Sequence, residues 1–222
     1  MTNNEQAQRA YLKENYLEIF KLKNNDFFGL LAIDFYLKEF LFFPRLMNLL
    51  ASRNNLNDSK ARNLGIVSTL VYLSAKIHYS VKDNKKTTFA ADMQFPILLG
   101  DLLYGKVIEV LLSGENSDCL NDYLHYLQEL NAAVVDHLNG EVNEEVLAEL
   151  RYVKLALLSA DLLGVKDEEE LEWVKNSAKA FAAGLKKENI SSALEQLKAD
   201  GDFAFLANDL KITSLEDLER SI

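Results

Sequence analysis

The chain has 222 residues, 49% of them hydrophobic, which is enough apolar side chain to build a core without a disulfide or a structural metal. Its 2 prolines and 9 glycines are too few for the many turns of a sandwich or barrel, so an all-β fold is excluded. With 34 acidic against 24 basic residues the net charge is −10, a surface that repels phosphate backbones and anionic headgroups, and nucleic acid is not an expected partner.

Apolar residues recur at helical spacing almost throughout, and the pattern predicts helices near 4–23, 26–52, 58–83, 88–113, 117–139, 143–164, 168–187, 192–199 and 214–221. In the third of these, Leu64, Val67, Leu70, Val71, Ser74, Ile77 and Val81 draw one stripe. Pro44 and Pro96 fall inside helical patterns, where each removes an amide donor and bends its helix. Asp167 with Glu170, Ser192 with Glu195 and Thr213 with Glu216 have capping-box spacing, in which the first side chain accepts from an orphan amide and the acid reaches back. There is no Gly/Ser-rich linker and no repeat, so residues 1–222 are expected to form one all-α domain. The start of the sequence lacks the basic and apolar runs of a signal peptide, and no apolar run approaches a membrane span; a cytoplasmic protein is expected.

Few residues offer chemistry of their own. His125 and His137 are twelve apart and point to different sides of one helix, and no spacing typical of a metal site involves His78. Cys119 has neither a histidine nor a basic neighbour in sequence to stabilise a thiolate, and it is expected to be inert. No glycine-rich phosphate loop occurs, and the acid pairs Glu144/Glu145 and Asp118/Asp122 look like solvated faces.

The informative stretch runs from Thr69 to Leu112. It contains Lys76-Ile77-His78-Tyr79-Ser80-Val81-Lys82-Asp83, a short polar loop, and then Ile97-Leu98-Leu99-Gly100-Asp101-Leu102-Leu103. Order and spacing resemble the paired central helices of the trans-isoprenyl diphosphate synthases, which carry a His-Asp-Asp-x-x-Asp pattern followed by Leu-x-Gly-Asp-x-Leu. A plainer reading of the second motif is a buried helix in which Gly100 permits close packing and Asp101 makes a local hydrogen bond. The resemblance covers roughly residues 26 to 190, and it implies an all-α helical bundle of the isoprenoid synthase type.

The frame matches while the chemistry departs. Aligning His78 with the family histidine puts Tyr79 and Ser80 at the first two aspartate positions and leaves only Asp83. A phenol and a hydroxyl are neutral at pH 7, whereas hard cations need several carboxylate oxygens to compete with water. The cations the family places before an early proline are replaced here by Phe40-Leu41-Phe42-Phe43-Pro44, with Arg45 alone remaining. The family's arginine pair is matched only by Lys85 and Lys86, and Lys186 and Lys187 stand where its second aspartate cluster is expected.

Frame kept and chemistry lost resembles the small, non-catalytic subunit family (component 1) of bacterial heptaprenyl diphosphate synthases. That resemblance implies no catalytic residue, no metal and no bound cofactor in this chain. It also implies a partner, the catalytic large subunit of a prenyl diphosphate synthase, which would hold Mg²⁺ and make the prenyl tail of menaquinone; a homodimer is expected as an alternative when the chain is isolated. In the family the Gly-Asp helix and the helix after it form the dimer interface, which points to Asp101, Tyr104, Ile108 and Tyr123 as partner contacts. Residues before the first aspartate close the family's apolar tunnel, which points to Ser74, Ala75 and His78 as tunnel wall; Ser74 and Ala75 serve equally to let two helices pack closely. Two other readings stand beside these: an apolar-ligand binder using the Phe40 to Phe43 cluster, and an independent enzyme assembling a metal site from Asp83, Asp136 and Asp161.

Overall fold

The computed structural model describes residues 33–80, 91–112 and 116–184, with side chains over 41–79, 97–112 and 116–182. In chain order the elements are α1 (Ile33–Asn54), α2 (Asp58–Ser80), α3 (Ala91–Leu112), a 3₁₀ turn (Ser117–Cys119), α4 (Leu120–Leu138), α5 (Glu144–Ala148), a π-helical segment (Glu149–Lys154), α6 (Leu155–Leu163) and α7 (Glu168–Gly184). These follow the expected helices closely, and among the described residues there is no strand. The helices expected at 4–23, 192–199 and 214–221 lie outside the described residues, as do the caps at Ser192 and Thr213. The expected helix over 143–164 differs in kind: its middle widens into the π turn, which hydrophobic spacing does not encode.

Starts and stops are set by short polar side chains. Asn57 Oδ1 accepts from the Lys60 amide at 2.9 Å to open α2, and Asn143 Oδ1 accepts from the Val146 amide at 3.1 Å to open α5. Asp167 Oδ1 accepts from the amides of Glu169 and Glu170 at 3.0 Å and opens α7 as its spacing predicts. The return half of that capping box does not form. Glu170 instead reaches α1, where its carboxylate pairs with Arg53 at 2.9 Å, and the Arg53 guanidinium also lies 4.7 Å over the Trp173 ring.

The core is organised around α2, which packs on α1, α3, α4 and α6. A single apolar stripe was the expectation; instead every residue from Leu64 to Ala75 is buried, because helices cover α2 on all sides. Two close approaches permit this. Against α1, a Cβ at Gly65 would lie 2.5 Å from Pro44 Cα, so only glycine lets these backbones meet. On the opposite side, Ser74 Oγ donates to the Gly100 carbonyl of α3 at 2.7 Å. Polar atoms inside the core satisfy each other: Ser68 and Ser159 lie 2.6 Å apart, with the Tyr123 hydroxyl 3.0 Å from the first and 3.2 Å from the second. Aromatic rings fill the far side, where Phe42 stacks on Phe181 at 4.0 Å and the Tyr72 and Tyr152 hydroxyls meet at 2.7 Å. Among the described residues no helix is long and apolar enough to cross a membrane.

Candidate functional site

The C-terminal turn of α2 brings the motif residues together. His78 Nε2 faces two acceptors, the Ile97 carbonyl and Asp101 Oδ1, each at 3.2 Å, so this nitrogen carries the proton. The imidazole lies on the surface of α3 at Gly100, where that helix has no side chain. A Cβ at Gly100 would come within 2.2 Å of His78 Nε2. The Gly-Asp pair is therefore half of a helix lock, in which glycine opens the seat and aspartate holds the histidine in it. Tyr104, one turn on, completes the seat with its ring centroid 5.2 Å from the imidazole. Its hydroxyl is buried with no hydrogen-bond partner among the described residues, and burial raises its pKa, opposed by nearby Ser74 and reinforced by the charge of Asp101.

Tyr79 stands next to His78, on the side facing the π segment. The Arg151 guanidinium lies 4.4 Å over the Tyr79 ring, and Arg151 is only 7% exposed. Its Nη1 is 3.5 Å from Glu144 Oε1, while Nε and Nη2 are buried with no hydrogen-bond partner among the described residues. His137 borders the same group, its ring 5.7 Å from that of Tyr79 and its Nδ1 donating to the Val142 carbonyl at 2.8 Å.

This arrangement does not fit Mg²⁺. A divalent ion beside residue 79 would meet a neutral phenol and a fixed guanidinium charge, the reverse of the carboxylate cage it requires. Asp83 lies outside the described residues. Asp161 is exposed and pairs with Lys166, and Asp136 is on α4; among the described residues no three His, Cys, Asp or Glu side chains are grouped closely enough to hold an ion. Cys119 is buried, and burial followed by its hydrogen bond to Asp118 pushes its thiol up to about 11, away from thiolate chemistry.

The remaining expected residues divide. Asp101 and Ile108 are exposed on α3, where a partner could reach them, and Tyr104 is half-buried. Tyr123 is not at the surface: it is 0% exposed, tied into the Ser68 and Ser159 hydroxyls, and burial pushes its own hydroxyl up to about 12. The correction has a simple cause, since Tyr123 lies on the face of α4 that packs against α2. Ser74 and Ala75 are also buried, and the hydroxyl of Ser74 is spent on the Gly100 carbonyl; the close-packing alternative describes them. Phe42 and Phe43 pack into the core against Phe181 and Tyr72, so they fill space that a ligand would need. Phe40, Lys85, Lys86, Lys186 and Lys187 have no described side chains.

Sequence reasoning missed Arg151 and the π turn, and it read Glu144 as part of a solvated face, whereas Glu144 pairs with Arg151. One signal was present: Arg151 is four residues after Leu147 and four before Leu155, both fully buried, which places a cation on an inward face. The outer surface of α3 and α4 is a second feature. On α3, Ile97, Leu98, Leu102, Ile108 and Leu112 are exposed; on α4 and α5, Leu124, Val135, Leu138 and Val146 are exposed. All the exposed large hydrophobic residues among those described lie in this one stretch.

The sequence matches no family model and no curated protein. Its fold is that of the isoprenoid synthases. The structure of a geranylgeranyl pyrophosphate synthase from Lactobacillus brevis aligns over 97% of this chain and 80% of its own, with TM-score 0.57 and 14% sequence identity. A deletion mutant of the heterotetrameric geranyl pyrophosphate synthase of mint aligns over 98% of this chain and 95% of its own, with TM-score 0.47 and 14% identity. At such identity the likeness is one of fold.

Proposed function

We propose that this chain is a non-catalytic subunit of a heteromeric long-chain trans-prenyl diphosphate synthase, of the heptaprenyl component 1 kind, acting in the cytoplasm in synthesis of the menaquinone side chain. The catalytic chemistry then belongs to a partner, whose own aspartates hold Mg²⁺ and the allylic diphosphate. The observation behind this reading is the Arg151 guanidinium 4.4 Å over Tyr79, a cation and a phenol at the place where the resembling family needs carboxylates. The helix lock of His78, Gly100 and Asp101 keeps the frame on which such a partner would dock.

The test is turnover. The purified chain is assayed with an allylic diphosphate, isopentenyl diphosphate and Mg²⁺, first alone and then co-purified with a catalytic prenyl synthase chain of the same organism. The expected result is no product from this chain alone and long-chain product from the pair. Product from the chain alone would overturn the proposal.

A further inference from the structure

The π segment turns Arg151 inward, and such turns recur at binding sites. A guanidinium carries a fixed charge and interacts by hydrogen bonding only as a donor. One face of this one lies over the Tyr79 ring, and Nη1 makes a long contact, 3.5 Å, with Glu144 Oε1. Nε and Nη2 are shielded from solvent and have no hydrogen-bond partner among the described residues. These two nitrogens share an edge of the guanidinium plane, and their N–H groups point side by side from it. That edge is the fork that takes both oxygens of a carboxylate. Burying it unpartnered is costly, and Glu144, on the other nitrogen, does nothing to relieve that cost.

The surrounding groups limit what the fork can take. Lys154, three residues on, is bonded to Glu129. The Tyr126 hydroxyl donates to the Leu150 carbonyl at 3.0 Å, and His137 Nδ1 donates to the Val142 carbonyl, so neither adds a donor. The Glu144 side chain is 46% exposed, so water offsets much of its charge and the buried guanidinium keeps charge to spare. An anion with several charges would meet one cation beside a carboxylate, whereas a single carboxylate matches both the charge and the two donors. We infer that the Nε and Nη2 edge of Arg151 is a binding site for a small monocarboxylate, held side-on by both nitrogens. Because solvent does not reach the edge, the acid is of formate or acetate size. The site belongs to this chain alone and does not depend on the subunit reading.

The test uses the full-length protein and ¹³C-labelled sodium formate, with ionic strength held constant by sodium fluoride. The formate resonance is expected to broaden with protein and to saturate on the order of 10 mM. Thermal unfolding is expected to shift upward by about 4 °C at about 100 mM formate. Arg151→Met is expected to lose both effects; formate effects that persist in it would place binding elsewhere and overturn the inference. Arg151→Lys keeps the charge without the planar fork and is expected to bind at least about tenfold more weakly. Equal binding by the lysine variant would overturn the side-on fork. Glu144→Gln leaves Arg151 in place and removes the nearby negative charge, so it is expected to tighten formate binding several-fold and keeps the inference testable where the Arg151 variants do not fold. Acetate is expected to displace formate and inorganic pyrophosphate at equal concentration is not. Stronger displacement by pyrophosphate, or no broadening and no thermal shift in the unaltered chain, would overturn the inference.

Discussion

The middle and the end of α2 are built from the same kind of contact, a glycine opposite a bulky group, yet they differ in what that contact serves. In the middle, Gly65 admits the Pro44 backbone, and the neighbours are neutral and mutually satisfied. At the end, Gly100 admits the His78 ring, and the surroundings include Asp101, Arg151 and Glu144, only some of whose polar atoms find partners. The difference shows where a helical frame can change its chemistry: backbone approaches in the middle resist change, while side chains at the end can be exchanged as long as the histidine keeps its seat.

The contrast can be broken most sharply at Gly65. A Cβ there meets backbone at 2.5 Å, which cannot rotate away, so Gly65→Ala is expected to cost about 3 kcal/mol in urea unfolding. Gly100→Ala meets only the imidazole, which can swing aside, and about 1 to 2 kcal/mol is expected. Equal costs would erase the distinction. Ser74→Phe, which would shorten product if Ser74 lined a tunnel, is expected instead to separate α2 from α3 and destabilise the fold, because the hydroxyl has no open space before it. Tyr123→Phe removes one member of the buried hydroxyl group and is expected to cost about 1 kcal/mol.

Arg151→Met tests the other side of the comparison. A buried cation with two unpartnered nitrogens contributes little net stability, so replacement by an apolar chain of similar length is expected to change stability by less than about 1 kcal/mol, in either direction. A loss of about 3 kcal/mol or more would mean that the guanidinium is well paired after all.

The pH dependence follows from the core. Tyr123 moves from 10.0 to about 12 and Cys119 from 9.0 to about 11, so the folded state holds these protons more tightly than the unfolded chain. Stability from these groups is then fully present below about pH 9 and is lost as pH rises from 9 toward 12, a window that far-UV circular dichroism in mild urea can follow. Stability that rises across that window would contradict the burial of these groups.

The described helices and the His78, Gly100 and Asp101 group were legible in the sequence because helical spacing and a short motif fix both. Tyr123 was misplaced because it occurs on a helix with one buried and one exposed apolar face, and spacing alone does not say which face meets the core and which meets a partner. Arg151 was missed for a different reason. Its spacing from Leu147 and Leu155 marks an inward face, but the ring it lies over, that of Tyr79, is far away in sequence, and the π turn that carries it leaves no local pattern. The same holds for Glu170, whose capping-box spacing was real but whose carboxylate found a stronger partner in Arg53.

The central proposal is that the end of α2 holds a protein cation at the place where the resembling family needs carboxylates for a metal. Calorimetric titration of the isolated chain with Mg²⁺ in the presence of inorganic pyrophosphate addresses it directly. The account predicts no saturable heat beyond that of Mg²⁺ binding to pyrophosphate itself, and none gained on Tyr79→Asp, whose carboxylate would pair with Arg151. Saturable binding of magnesium pyrophosphate by the unaltered chain would contradict it.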